Sequence, residues 1–291
     1  MIYRIVHRTT YKYKHPVSFG NHVACLTPRS VPHHRRRWHE LRTNPSAESK
    51  TRLDYFGNQL SFFTIQEPHK RLVVEARSEV MIDEDERPRP GQSIAWEDAA
   101  RSLPNDSSAV SLDAYQFVFE SPRIRLGAEF SAYALKSFTP GRDFMEALLD
   151  LTARIHREFR FDSKATTVRT SPEEVFQKRR GVCQDFAHLQ IACLRSLGLS
   201  ARYVSGYLRT SAPPARPRLV GADVSHAWVS AYCPGLGWLD VDPTNNLVPS
   251  CNHVTLAWGR DYGDVSPLRG MILGGHDHTL KVAVDVEPLD A

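Results

Sequence analysis

The chain has 291 residues, 41% hydrophobic and 24% charged, with 16 Gly and 19 Pro; this excludes disordered and fibrous classes and points to two folded units at roughly 100–200 residues per domain. Its formal charge of +4 falls far short of the dense Lys/Arg excess that would by itself argue for a nucleic-acid partner. The 5 cysteines include no CxxC pair and the 13 histidines are mostly scattered, so neither a zinc framework nor a disulfide scaffold is signalled, and a reducing compartment fits best.

The first residues, Met1-Ile2-Tyr3-Arg4-Ile5-Val6-His7-Arg8, lack a continuous apolar stretch of signal-peptide type. Nowhere does the sequence approach the roughly 20 apolar residues of a membrane span. A cytoplasmic protein with no membrane partner is expected. Residues 1–82 alternate β-branched, aromatic and polar side chains, as in Leu72-Val73-Val74-Glu75-Ala76, and are broken at Asp54-Tyr55-Phe56-Gly57-Asn58, which reads as a β-rich N-terminal domain. Residues 83–93, charged and then broken by Pro and Gly, read as a linker. Residues 94–291 form the second domain.

In that domain Phe144, Leu148, Leu151, Ile155 and Phe159 recur at helical spacing. Ser171-Pro172-Glu173-Glu174 offers an N-cap, Pro at the first helical position and a Glu that closes a capping box, so a short helix runs to about Lys178. It leads to Arg180-Gly181-Val182-Cys183, after which Phe186, Leu189, Cys193 and Leu197 mark one face of a further helix ended by Gly198. Strands are expected at Ala201–Leu208, Ser225–Tyr232 and Trp238–Asp242, and at Val282, Val284 and Val286; Ser211–Arg218 reads as a mobile loop beside them. The second domain is therefore α+β.

Cys183 stands at a helix N-terminus, where free N–H groups and the helix dipole favour a thiolate. The commoner fate of a free cysteine is a small buried residue, and Cys25, Cys193, Cys233 and Cys251 keep that reading. Cys183 departs from it because a histidine and an aspartate stand on the two strands downstream of its helix. The strands around Cys233-Pro234-Gly235 suit a hairpin, and pairing Tyr232 with Leu236 sets His226 opposite Asp242, within reach of an imidazole–carboxylate hydrogen bond. A carboxylate on one ring nitrogen leaves the other to take the thiol proton. Asp240, one step along the same face, competes for that role. The N–H of Cys183 is the natural oxyanion donor; Asp185 is expected to support the helix N-terminus electrostatically.

The segments Gly181-Val182-Cys183-Gln184-Asp185-Phe186-Ala187-His188, Ala201 through Tyr207, Ser225-His226-Ala227-Trp228-Val229 and Gly237-Trp238 through Asp242-Pro243-Thr244 resemble, in order, the motifs of the bacterial transglutaminase-like proteins, within the wider group of papain-like cysteine enzymes. The resemblance implies a papain-like transglutaminase core, a helix-headed Cys packed on an antiparallel sheet, with Cys183, His226 and Asp242 as catalytic residues. It extends to residues 1–82, similar to the β-rich domain that often precedes this core, and to Trp258-Gly259-Arg260-Asp261-Tyr262.

The family includes cross-linkers, proteases, amide hydrolases and inactive members, so three readings stand: a cysteine hydrolase acting on a peptide or protein, which is preferred; a transamidase of the same chemistry; and a binding or assembly protein in which the triad is vestigial. No cofactor or metal is expected, since a Cys183/His188/His226 zinc site matches no familiar spacing and no EF-hand loop is present. The basic runs His33-His34-Arg35-Arg36-Arg37 and Lys178-Arg179-Arg180 read as solvated faces, without the aromatic interleaving of a nucleic-acid surface.

Overall fold

In the computed structural model the described residues are 1–83, 90–210 and 224–289. Most of the expected linker (84–89) and the expected loop Ser211–Arg218 lie outside them. The N-terminal region builds five strands, β1 (Ile2–Ala24), β2 (His34–Asn44), β3 (Ser49–Leu53), β4 (Gln59–Ile65) and β5 (His69–Ile82), ordered β2-β5-β1-β4-β3 in one sheet. Alternation decides which face is covered: along β1, Tyr3, Ile5, His7 and Thr9 are buried while Arg4 and Arg8 are exposed. The break expected at Asp54–Asn58 is a turn, with the Asp54 carboxylate accepting the N–H groups of Phe56 and Asn58 at 2.9 and 2.8 Å and Gly57 at φ 74°.

The second region carries α1 (Trp96–Ser102), α2 (Ala109–Tyr115), α3 (Ala128–Ala134), α4 (Phe144–Glu158), α5 (Pro172–Lys178) and α6 (Cys183–Arg195), with a short parallel pair β6 (Arg160–Phe161) and β7 (Arg180–Gly181). A four-stranded antiparallel sheet, β10-β9-β8-β11, follows from β8 (Ala201–Leu208), β9 (Val224–Cys233), β10 (Gly237–Val241) and β11 (His253–Gly259). After the short α7 (Tyr262–Val265), strands β12 (Leu268–Gly274) and β13 (His278–Pro288) both pair antiparallel with β1, so the end of the chain completes the first sheet. The architecture is α+β with antiparallel sheets.

Local signals act as the sequence predicts. Asp143 caps α4 by accepting the N–H of Glu146 at 3.0 Å; Ser171 caps α5 by accepting that of Glu174 at 3.3 Å. Gly198 beyond α6 has φ 77°. Residues 184–195 of α6 are all buried, and the helix packs chiefly on β9, α5 and α3.

The two regions share one apolar core. Tyr3, Ile5, Val80 and Ile82 belong to the same cluster as Phe186, Leu189, Ala227 and Val229. Polar bonds fix the seam: His7 Nδ1 lies 2.9 Å from Tyr207 Oη, and Asn58, fully buried, answers both backbone groups of Trp258, accepting its N–H at 3.1 Å and donating to its C=O at 2.8 Å. Replacing Asn58 by Ala strands these two groups away from water, so Asn58→Ala should lower unfolding free energy by about 3 kcal/mol in urea titrations; a loss below about 1 kcal/mol would mean the seam is not held there.

Candidate active site

Cys183 is the first residue of α6, and it is partly exposed where the rest of the helix is buried. The helix start is fixed from behind: Asp185 Oδ2 accepts the N–H of Val182 at 2.8 Å and the hydroxyl of Thr166 at 2.6 Å. Burial raises the Asp185 pKa, against the hydrogen bonds from Thr166 and Val182 that lower it. A Cβ on Gly181 would lie 2.7 Å from Asp185 Oδ2, so only glycine lets this carboxylate fold back. Asp185 thus serves the helix N-terminus, as expected. Gln184 turns aside, its Nε2 3.4 Å from Val168 O. His188 is buried, and its Nε2 accepts the N–H of Tyr262 at 3.1 Å; burial pushes its pKa down to about 3.

The hairpin brings His226 and Asp242 together by a register other than the expected one. Tyr232 faces Trp238 and Cys233 faces Gly237, with Gly235 and Gly237 at φ 84° and 81° around the turn. The pairing is two residues from the expected one, which preserves the face, because side chains alternate with a period of two. The ladder stops at Val229 opposite Val241, and Asp242 begins a turn that bridges to Leu247. From there Asp242 Oδ2 lies 2.7 Å from His226 Nε2.

Five donors converge on the fully buried Asp242. Oδ1 accepts the N–H groups of Thr244 and Asn245 at 2.9 and 3.2 Å; Oδ2 accepts from His226, from Asn245 Nδ2 at 2.7 Å, and from His253 Nε2 at 3.4 Å. The N–H of Ser250 points at His253 Nδ1 (3.4 Å), which leaves Nε2 of that ring as the donor. Burial alone would raise the Asp242 pKa; the hydrogen bonds from His226, His253 and Asn245 hold it well below the usual carboxylate range. Burial likewise disfavours charge on His226, but the hydrogen bond to Asp242 and the influence of the nearby Cys183 outweigh this and raise its pKa to about 9. With Nε2 given to Asp242, the other ring nitrogen is left for the thiol.

Asp240, the competing orienter, faces Ser230 and accepts the indole N–H of Trp228 at 3.0 Å. Trp228 in turn packs beside the His226 and His253 rings, at centroid distances of 6.3 and 5.3 Å. Gly206 makes room for it: a Cβ there would meet Trp228 and the Val254 carbonyl oxygen at 2.3 Å each. Asn245 and His253 were not singled out from sequence. The Asp-x-Thr-Asn run that starts at Asp242 is a turn signal that could have suggested Asn245; nothing local marks His253. The donor atoms of His226, Asp242 and His253 lie within 4.8 Å of one another, a spacing a metal ion could use, although here hydrogen bonds join them.

Comparison with known proteins agrees with this architecture. Residues 3–81 match the bacterial transglutaminase-like N-terminal region and residues 133–243 the transglutaminase-like superfamily core. An uncharacterized protein of Mycobacterium tuberculosis is 38% identical over 99% of this chain and 93% of its own length. A protein-glutamine gamma-glutamyltransferase of Pseudomonas aeruginosa is 36% identical over 97 residues, 32% of this chain and 14% of that protein. The fold is shared with a cysteine-protease candidate of known structure from Cytophaga hutchinsonii, at 22% identity and a TM-score of 0.78, covering 100% of this chain and 91% of that one. The chain belongs to the bacterial transglutaminase-like family, with the family's β-rich N-terminal region ahead of its core.

The electrostatics carry a direct expectation. Because the Asp242 carboxylate is the principal group raising the His226 pKa, Asp242→Asn should bring the imidazole titration midpoint down from about 9, read by NMR of the His226 ring. A midpoint that stays near 9 in the variant would mean that the carboxylate is not the cause.

Proposed function

We propose that the protein is a cysteine-dependent acyl-transfer enzyme in which Cys183 is the nucleophile, His226 the base and Asp242 the orienter, and that it hydrolyses an amide or isopeptide bond of a peptide or protein. The observation that carries this reading is the buried hydrogen bond between the Asp242 carboxylate and His226 Nε2, which leaves the other ring nitrogen uncommitted, together with a partly exposed Cys183 at the head of a buried helix. Five free thiols suit a reducing, cytoplasmic setting.

In this mechanism the thiolate attacks the carbonyl carbon, forming a C–S bond while the carbonyl electron pair moves to oxygen. The N–H of Cys183, without an acceptor inside its own helix because it opens α6, faces the oxyanion. His226 gives its proton to the departing nitrogen, the C–N bond breaks, and a thioester remains. A water molecule that loses its proton to His226 then attacks the thioester; the C–S bond breaks and the acid and thiolate are released. Asp242 stays ionised throughout and stabilises the imidazolium.

The local similarity to a protein-glutamine gamma-glutamyltransferase favours a second reading, in which an amine replaces water at the thioester. An activated ester such as p-nitrophenyl acetate, offered with rising glycine methyl ester, separates the two. A total turnover unchanged by amine, with only acetate formed, indicates hydrolysis; amide product indicates transamidation.

The triad itself is tested by the rate of iodoacetamide alkylation at Cys183. An unassisted thiol, with a pKa of about 8.5, is only about 1% ionised at pH 6.5. The wild-type protein should react at that pH about tenfold faster than His226→Ala, after allowance for the weaker intrinsic nucleophilicity of a stabilised thiolate. Equal rates in the two proteins would remove His226 from the role and favour a binding protein.

A further inference from the structure

Between the first sheet and the outer face of the second lies a cavity of about 860 Å³, walled by His34 and Ile82 on one side and by Arg202, Trp238 and Trp258 on the other. This is within the range of small-molecule sites. Cys183 and His226 do not line it; it approaches the proposed active site through Trp228, Val241, Ser250 and His253.

Arg202 is the unusual group. It is only 7% exposed, and its guanidinium lies between two indoles, 3.9 Å from the Trp238 ring centre and 3.8 Å from that of Trp258. Both flat faces are therefore covered, and the N–H edge is what remains for hydrogen bonding. On that edge Nε is buried without a hydrogen-bond partner. A buried cation is costly, and burial lowers the Arg202 pKa to about 9, against the raising influence of Asp240 and Asp113.

The carboxylates on the cavity wall have donors of their own. Asp240 accepts from the Trp228 indole, Asp113 from Gln116, and Asp83 from Arg35. Arg29, stacked 3.5 Å from the Trp258 ring centre, spends its Nη1 on Phe56 O and Asn58 Oδ1. On the opposite wall His34 Nδ1 is also buried without a partner. The polar atoms left without a partner are thus Arg202 Nε and His34 Nδ1, and much of the remaining wall is aliphatic, including Val204, Leu148, Leu239 and Val248.

We propose that this cavity binds a small carboxylic acid with an apolar body, its carboxylate on the Arg202 edge and its chain against the aliphatic wall. A guanidinium fork matches a carboxylate in geometry and charge. The assignment is independent of any role for Cys183.

The test is titration of the whole protein with hexanoate, with hexanol as the same body without the charge, and with inorganic phosphate as the charge without the body. Tryptophan fluorescence and the ¹⁵Nε–H resonance of Arg202 are the readouts. Hexanoate should saturate at about 1 mM, shift the Arg202 resonance, and bind at least tenfold tighter than either hexanol or phosphate. Arg202→Met, which keeps an unbranched side chain between the indoles, should lose at least tenfold in hexanoate affinity. Absence of saturation, equal affinity for hexanol, tighter binding of phosphate, or an Arg202 resonance that stays fixed would each overturn the proposal. Should Arg202→Met fail to fold, the wild-type resonance decides alone.

Discussion

The second sheet is organised around a carboxylate with no access to water. An isolated charge in such a place is prohibitively expensive, so its position is tolerable only where donors from several segments meet. Asp242 draws two backbone N–H groups from its own turn, an amide from Asn245, an imidazole from β9 and a second from β11. Each of these constrains a different element. The turn must leave the ladder at Val241, β9 must present His226 on the face Asp242 reaches, and β11 must run beside β8 so that His253 arrives from the other side. Gly206, between the two, must remain without a side chain because Trp228 and the β11 backbone already occupy its space.

Helix α6 solves a related problem by other means. Its body is buried, yet it carries Asp185, His188, Gln190 and Arg195. These polar groups are tied to backbone or neighbouring side chains. Arg195 donates to the carbonyls of Ala201, Phe119 and Arg260 at 2.7–3.1 Å, thereby joining the helix end to β8 and to the two segments that flank the core. His188 accepts from the Tyr262 backbone, and Gln190 donates to Thr152 on α4 at 2.8 Å. The helix is thus fixed in rotation as well as in depth, which apolar contacts alone specify poorly. That fixity holds Cys183 at a defined point at its head.

The parts of this arrangement legible in sequence are those written in local chemistry. Ser171-Pro172-Glu173-Glu174 specifies a helix start whatever surrounds it, and the spacing of Phe144, Leu148, Leu151 and Ile155 describes a face before a partner is known. The His226–Asp242 juxtaposition was legible for a subtler reason. The expected hairpin register differs from the observed one by two residues, yet an even slip leaves every side chain on its own face, so the His226–Asp242 hydrogen bond forms although the strand partners differ. A three-residue hairpin loop leaves open which pair of residues closes it, and here positive φ at Gly235 and Gly237 decides.

Other features depend on contacts that no local pattern encodes. Val282, Val284 and Val286 announce a strand but not its partner; it pairs with β1, across almost the whole chain. His253 becomes significant only because β11 is the neighbour of β8, and Arg202 only because Trp238 and Trp258, from strands on either side of its own sheet, close over it. This dependence reaches the N-terminal sheet as well. Trp258 is held through its backbone by Asn58 and faced by Arg29, and Tyr207, three residues after Val204 on β8, is bonded to His7. The β-rich region therefore supplies part of the wall and support behind the second sheet, and its link to the helix-headed Cys183 is structural continuity of one core rather than adjacency in sequence.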